Sequence, residues 1–173
     1  MVKNNSTQSN LVNGNQNYPR FKVVFLGSNA TGKTNLINKI MKKNNNPNYI
    51  PTLGMDVSIL TVNTTKGFII LDLWDTAGFN GNHSGLQDGY FIGANMGVLC
   101  MDPQDNTTTV EESTWYQVNP GKMLMSITVN GGQSQNIHGV VNIDVSNHND
   151  IRLLLTNILY ALTHDPSIQI ISY

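Results

Sequence analysis

Charge is scarce in this chain: 12% of its 173 residues are Asp, Glu, Lys or Arg, and the formal net charge is −1. So weak a field excludes general electrostatic capture of nucleic acid or of an anionic membrane, and function must rest on local sites. Cysteine is scarcer still. The single thiol, Cys100, falls in an apolar run, can form no internal disulfide, and is expected in the core of a cytosolic or nuclear protein. No apolar stretch has the length of a membrane span, and the first twenty residues are polar and Asn-rich, without the apolar centre of a signal peptide. Gln169-Ile170-Ile171-Ser172-Tyr173 holds no cysteine, so no prenyl anchor is expected. The only arginines, Arg20 and Arg152, are too few for the substrate-phosphate cluster of a small-molecule kinase. His83, His138, His148 and His164 show no metal-ligand spacing and read as surface or loop residues.

The length suits one domain with a real core. Asn is the commonest residue and gathers at the amino terminus and at Asn44-Asn45-Asn46-Pro47-Asn48, where few apolar groups offset chain entropy. Residues 1–19 read as a disordered tail and residues 20–173 as the folded domain.

Against this sparse background one segment stands out. The strand-like run Phe21-Lys22-Val23-Val24-Phe25-Leu26 feeds into Gly27-Ser28-Asn29-Ala30-Thr31-Gly32-Lys33-Thr34, which fits G-x-x-x-x-G-K-[ST] at every fixed position. Gly27 and Gly32 let main-chain N–H groups close around a polyphosphate. Lys33 would reach the outer phosphates as a point charge, and Thr34 would place its hydroxyl on Mg²⁺. A helix carrying Asn35, Leu36, Ile37, Ile40 and Met41 would aim its dipole at the anion. The competing reading is a Gly-rich strand-to-helix turn without a ligand.

Downstream, strands and helices alternate. Residues 55–62 and 68–74 read as strands joined by a hairpin at Asn63-Thr64-Thr65-Lys66-Gly67. Residues 97–101, 123–129 and 140–145 read as buried strands suited to the centre of a parallel sheet. A last helix, capped by Asn147 or Asn149, shows Ile151, Leu154, Leu155, Ile158, Leu159 and Leu162 on one face. Asn119-Pro120-Gly121 shortens the helix before it, and few residues separate Val129 from Val140 for a crossover helix. The pattern predicts an α/β, P-loop-type fold with a mostly parallel six-stranded sheet flanked by helices, some of them shortened or missing in the C-terminal half.

Trp74-Asp75-Thr76-Ala77-Gly78 follows the third strand, where Asp75 would hold Mg²⁺ through a water and the Gly78 amide would sense a γ-phosphate. Four segments together are similar to the Ran-type branch of the Ras-like small GTPases. They are GSNATGKT, then YIPTLGMDVSIL, then LWDTAG, then Ser84-Gly85-Leu86-Gln87-Asp88-Gly89-Tyr90-Phe91-Ile92-Gly93-Ala94. His164-Asp165-Pro166-Ser167-Ile168 also resembles the segment after that branch's last helix. The likeness spans residues 20–170. It implies a switch protein binding GTP or GDP with Mg²⁺. Thr34, Thr52 and Asp75 would be its metal partners. Gly27, Ser28, Asn29, Ala30, Thr31, Gly32, Lys33, Thr34, Asn35, Tyr49, Thr52 and Gly78 would hold the nucleotide. It further implies a soluble monomer of nucleus and cytoplasm, meeting transport receptors or their regulators through its switches, with no nucleic acid and no membrane anchor.

The departures from that pattern weaken the activity it implies. Phe79 stands where the family places a water-orienting Gln, and it has no donor or acceptor. Asn29 and Ala30 replace glycines of the phosphate loop. Thr52 and Phe79 therefore form an incomplete catalytic set, and GTP hydrolysis is expected to be slow, with Phe79 alternatively a hydrophobic cover for the switch. At the base, Asn130-Gly131-Gly132-Gln133 replaces Asn-Lys-x-Asp, and Ser146-Asn147-His148 replaces Ser-Ala-Lys. Losing a charged bidentate acceptor costs about 2 kcal/mol, roughly thirtyfold in affinity. Asn130, Gln133, Ser146 and Asn147 remain the residues expected at the base. The alternative function is a pseudo-GTPase interaction module without turnover.

Overall fold

The computed structural model describes residues 17–44, 50–78, 88–102, 108–129 and 140–173. Tyr49, Phe79, Asn130 and Gln133, with His83 and His138, lie outside the described residues. The chain runs β1 (Arg20–Leu26), α1 (Lys33–Ile40), β2 (Met55–Thr64), β3 (Gly67–Thr76), α2 (Asp88–Phe91), β4 (Met96–Met101), α3 (Thr108–Val118), β5 (Met123–Val129), β6 (Val141–Ile143), α4 (His148–Thr163) and β7 (Ile170–Ser172). The strands form one sheet in the order β6-β5-β4-β1-β3-β2-β7. Pairs β1/β3, β1/β4, β4/β5 and β5/β6 are parallel, whereas the β2/β3 hairpin is antiparallel. This is the expected α/β P-loop-type architecture, with one correction in strand number: the sheet has seven strands, not six. β7 joins antiparallel to the end of β2 at Asn63 and Thr64. The turn at Thr65 holds it there, donating from its N–H to Gln169 O (2.9 Å) and accepting from Gln169 N–H on Oγ1 (3.1 Å).

β1 owes its central place to its composition. Side chains alternate along a strand, so an unbroken apolar run buries both faces. Val23 and Phe25 join a core with Leu36, Ile37 and Ile40 of α1 and Leu154, Leu155 and Ile158 of α4. Val24 and Leu26 enter a smaller core with Phe91, Leu99 and Trp115, beneath α2 and α3. β6 is shorter than the apolar text of residues 140–145 suggests, because the Asp144 N–H leaves the ladder to donate to Asp150 Oδ2 at 3.0 Å. Asn147, not Asn149, caps α4, its side-chain oxygen accepting from Asn149 N–H. α3 ends at Val118 as Asn119-Pro120-Gly121 requires, with Gly121 at φ 76°. Cys100 is fully buried, and burial pushes its thiol up to about 12. No helix among the described residues is long and apolar enough to cross a membrane.

Trp115 keys α3 to the sheet. Its ring is fully buried beside Phe91, with centroids 5.9 Å apart, and it lies over Gly97 of β4. A Cβ at Gly97 would stand 2.6 Å from Leu124 Cδ1 and 3.0 Å from two atoms of that ring, so glycine gives β4 room for both side chains. Trp115→Ala is expected to lower the unfolding free energy by about 3–5 kcal/mol, measured by urea denaturation. A loss below about 1 kcal/mol would show that α3 is not anchored through this ring.

Candidate functional site: a phosphate cradle beside a metal-ligand cluster

β1 delivers the loop of residues 27–34 to the carboxyl edge of the sheet, where open α/β sheets bind ligands. The two motif glycines are required by different walls. Gly27, at φ 136°, comes so near β4 that a Cβ would lie 2.1 Å from Cys100 O. Gly32, at φ 89°, presses on β5, where a Cβ would meet Val129 Cγ1 at 2.8 Å. Close approach on both sides tightens the loop and leaves its N–H groups to converge on an anion. Gly32 is also the N-cap of α1, with no side-chain cap bond, and no acidic residue occupies the helix's first turn. That positive helix end suits a phosphate. Ala30 adopts φ 61° without glycine's freedom, so the loop carries some strain there.

Lys33 is buried, and its ammonium donates to Gly27 O (2.6 Å) and Ser28 O (2.7 Å). Burial pushes its pKa down, while the carboxylates of Asp75 and Glu111 oppose that shift. Thr31 Oγ1 donates to Ser28 O at 3.0 Å and braces the loop. Asn35, in the first turn of α1, is half-buried.

Three oxygen-bearing residues from distant segments meet beside the cradle. Thr34 Oγ1 donates to Asp75 Oδ2 at 2.6 Å, and Thr52 Oγ1 lies 3.0 Å from Thr34 Oγ1 and 3.3 Å from Asp75 Oδ2. Local structure fixes each position. Asp75 sits near the end of β3, in register with Phe25 of β1, and Thr76 Oγ1 locks that end by donating to Phe25 O (2.8 Å). Thr52 is held through Gly54, whose carbonyl accepts from Ala77 N–H at 2.8 Å and whose φ is 75°. The segment 50–54 is thereby tied to the Asp-Thr-Ala-Gly turn. Gly78 in turn touches the phosphate loop: a Cβ there would stand 2.5 Å from both Asn29 Cα and Asn29 N.

The cluster fits Mg²⁺. Adjacent oxygens around an octahedral ion with metal–oxygen distances of 2.0–2.1 Å lie about 2.9 Å apart, close to the spacings seen here. Asp75 Oδ1 is buried and has no hydrogen-bond partner among the described residues, leaving an acceptor to be satisfied. Burial raises the Asp75 pKa, and the Thr34 and Thr52 hydroxyls and Lys33 work against that rise. No cluster of three or more His, Cys, Asp or Glu suited to a metal occurs among the described residues. The hydroxyls of Thr34 and Thr52, with Asp75, would thus hold the ion alongside phosphate oxygens. When bound, it would neutralise phosphate charge.

The structure thus brings Gly27, Ser28, Lys33, Thr34, Thr52 and Asp75 together at one edge of the sheet. Ser146 and Asn147 lie in the turn between β6 and α4, and their polar groups bond within that turn. His148 begins α4 and His164 ends it, both exposed as expected. Sequence reasoning missed Gly54, Val129 and the buried Glu111 of α3, whose field reaches Lys33. One signal was available for Glu111: it precedes Trp115 by four residues, which puts both on one helical face.

A glycine-bounded loop at the end of a buried parallel strand, a buried lysine and a hydroxyl–carboxylate cluster define a P-loop nucleotide-binding domain of the Ras-like class. Comparison with known families agrees: the family described as Ras of Complex, Roc, domain of DAPkinase matches residues 22–129. That span is more than half of the chain, and the chain belongs to the Roc family. Membership implies guanine-nucleotide binding, normally with Mg²⁺. Asp75→Asn keeps the side-chain size but removes the charge. It should reduce the gain in nucleotide affinity on adding Mg²⁺ by at least about tenfold, measured by fluorescent-nucleotide titration with and without EDTA.

Proposed function

We propose that this Ras-like domain is a Ran-like switch that binds GTP and GDP with Mg²⁺, hydrolyses GTP slowly and acts in nucleocytoplasmic transport. The observation that carries the reading is the position of Thr52, whose hydroxyl reaches both Thr34 and Asp75. What occupies the metal position therefore governs the segment around Thr52. That segment bears Ile50 and Leu53, 67% and 92% exposed, and Ile59 is exposed further along β2. An apolar surface coupled to a ligand site suits a partner that reads the nucleotide state. Residues 49–60 and 79–94 are the surfaces proposed for transport receptors or their regulators, in nucleus and cytoplasm. The Ran-type branch is supported by the text of those two segments.

Slow hydrolysis rests on Phe79, with no polar atom to orient water. The second reading, a pseudo-GTPase interaction module, is favoured by one contact. Asn29 lies directly against Gly78, whose amide is the one expected to meet a γ-phosphate. Two measurements test these readings. Pull-downs with a Ran-system receptor or exchange factor should differ among GTP analogue, GDP and nucleotide-free protein; equal signals would remove the switch. Phe79→Gln should raise single-turnover GTP hydrolysis by about tenfold or more. No rise would place the defect at Asn29 and Ala30 and favour the module without turnover.

A further inference from the structure

The turn after β6 is closed on itself. Asp144 Oδ1 accepts from both Ser146 N–H (2.8 Å) and Ser146 Oγ (2.7 Å). Asn147 N–H donates to Asp144 O at 3.0 Å, Asn147 Oδ1 accepts from Asn149 N–H at 3.0 Å, and Asn147 Nδ2 donates to Asp150 Oδ1 at 2.9 Å. Asp150 Oδ2 takes the Asp144 N–H as well. Ser146 and Asn147 thus spend their main-chain N–H groups, the Ser146 hydroxyl and the Asn147 carboxamide oxygen inside the turn. The hydrogen bonds from Ser146 hold the Asp144 pKa below the ordinary carboxylate value, so the acceptor at the centre of the turn stays ionised at neutral pH.

This turn lies where the far end of a nucleotide would rest. Gly32 of the phosphate loop abuts Val129 at the end of β5, Val129 is in register with Ile143 of β6, and Ser146 follows three residues later. A ligand with its phosphates in the cradle extends across these strand ends. A site discriminates strongly between ligands when its own polar groups need the ligand's to be satisfied, on the order of 10⁴-fold. Groups already satisfied by the protein lose nothing when the base changes.

The geometry points to a site that selects its ligand at the phosphate end: Mg²⁺-bound nucleoside di- and triphosphates are accepted with little regard to the base. This deepens the nucleotide-switch reading and rests on it. The text Asn130-Gly131-Gly132-Gln133, which offers no carboxylate, agrees.

The test is displacement of a fluorescent GTP analogue from the full chain by GTP, ATP and UTP, each with Mg²⁺, beside Lys33→Ala. Dissociation constants for the three triphosphates within about tenfold of one another support the proposal, given loss of all three with Lys33→Ala. GTP displacing at least about a hundredfold better than ATP would overturn it while leaving the switch reading intact. Absence of Lys33-dependent binding of any nucleotide would overturn both. In a second arm, Asp144→Ala, at an exposed position, frees the Ser146 donors. It should shift the GTP-to-ATP ratio by about threefold or more and leave the affinity for inorganic tripolyphosphate unchanged. An unchanged ratio would mean that the closed turn is not what leaves the base unread, and would overturn the proposal.

Discussion

The Asp75 carboxylate joins three parts of the chain that sequence keeps far apart. It is held at the end of β3 by register with β1, it accepts the Thr34 hydroxyl from the first turn of α1, and it draws in Thr52 from the segment before β2. A buried carboxylate is costly unless hydrogen bonds or a cation compensate it. Here two hydroxyls and the field of Lys33 supply part of that compensation, and one oxygen has no partner among the described residues. The unmet part is the chemical reason for a divalent cation at this point. The same carboxylate links the candidate metal position to the segment bearing the exposed Ile50 and Leu53, so the candidate site and the partner surface proposed above share one group.

The two ends of the site differ in how they are built. At the phosphate end the main chain does the work, through two glycines wedged against β4 and β5 and an uncapped helix start. Such a cradle tolerates wide change elsewhere, provided its walls stay close. At the other end, the Asp144–Asp150 turn has become a structural element that starts α4 and satisfies itself. This asymmetry is what underlies the proposal that the domain recognises charge and metal better than it recognises a base.

Much of this was legible in the sequence, for identifiable reasons. Gly27, Gly32, Lys33, Thr34 and Asp75 sit in short motifs whose spacing is set by local backbone geometry, and the fold gathers them at one edge of the sheet. β1 and α4 follow from apolar periodicity. What the sequence concealed depends on contacts between distant segments. β7 arises because Thr65 can pair with Gln169 across 104 positions. β6 stops early because Asp150, in the first turn of α4, captures the Asp144 N–H. Glu111 and Val129 approach the loop only once α3 and β5 are laid on the sheet. The Roc match over residues 22–129 reaches the Ras-like class, and the proposed Ran-type reading rests on the text of the two switch segments.

The most direct test of the account is a titration of the purified chain with fluorescent GTP and GDP analogues, with and without Mg²⁺, comparing the natural sequence with Lys33→Ala. A working phosphate cradle joined to the Thr34–Thr52–Asp75 cluster predicts saturable binding that strengthens with Mg²⁺ and is lost with Lys33→Ala. Binding indifferent to both the metal and the lysine, or no saturable binding at all, would contradict it.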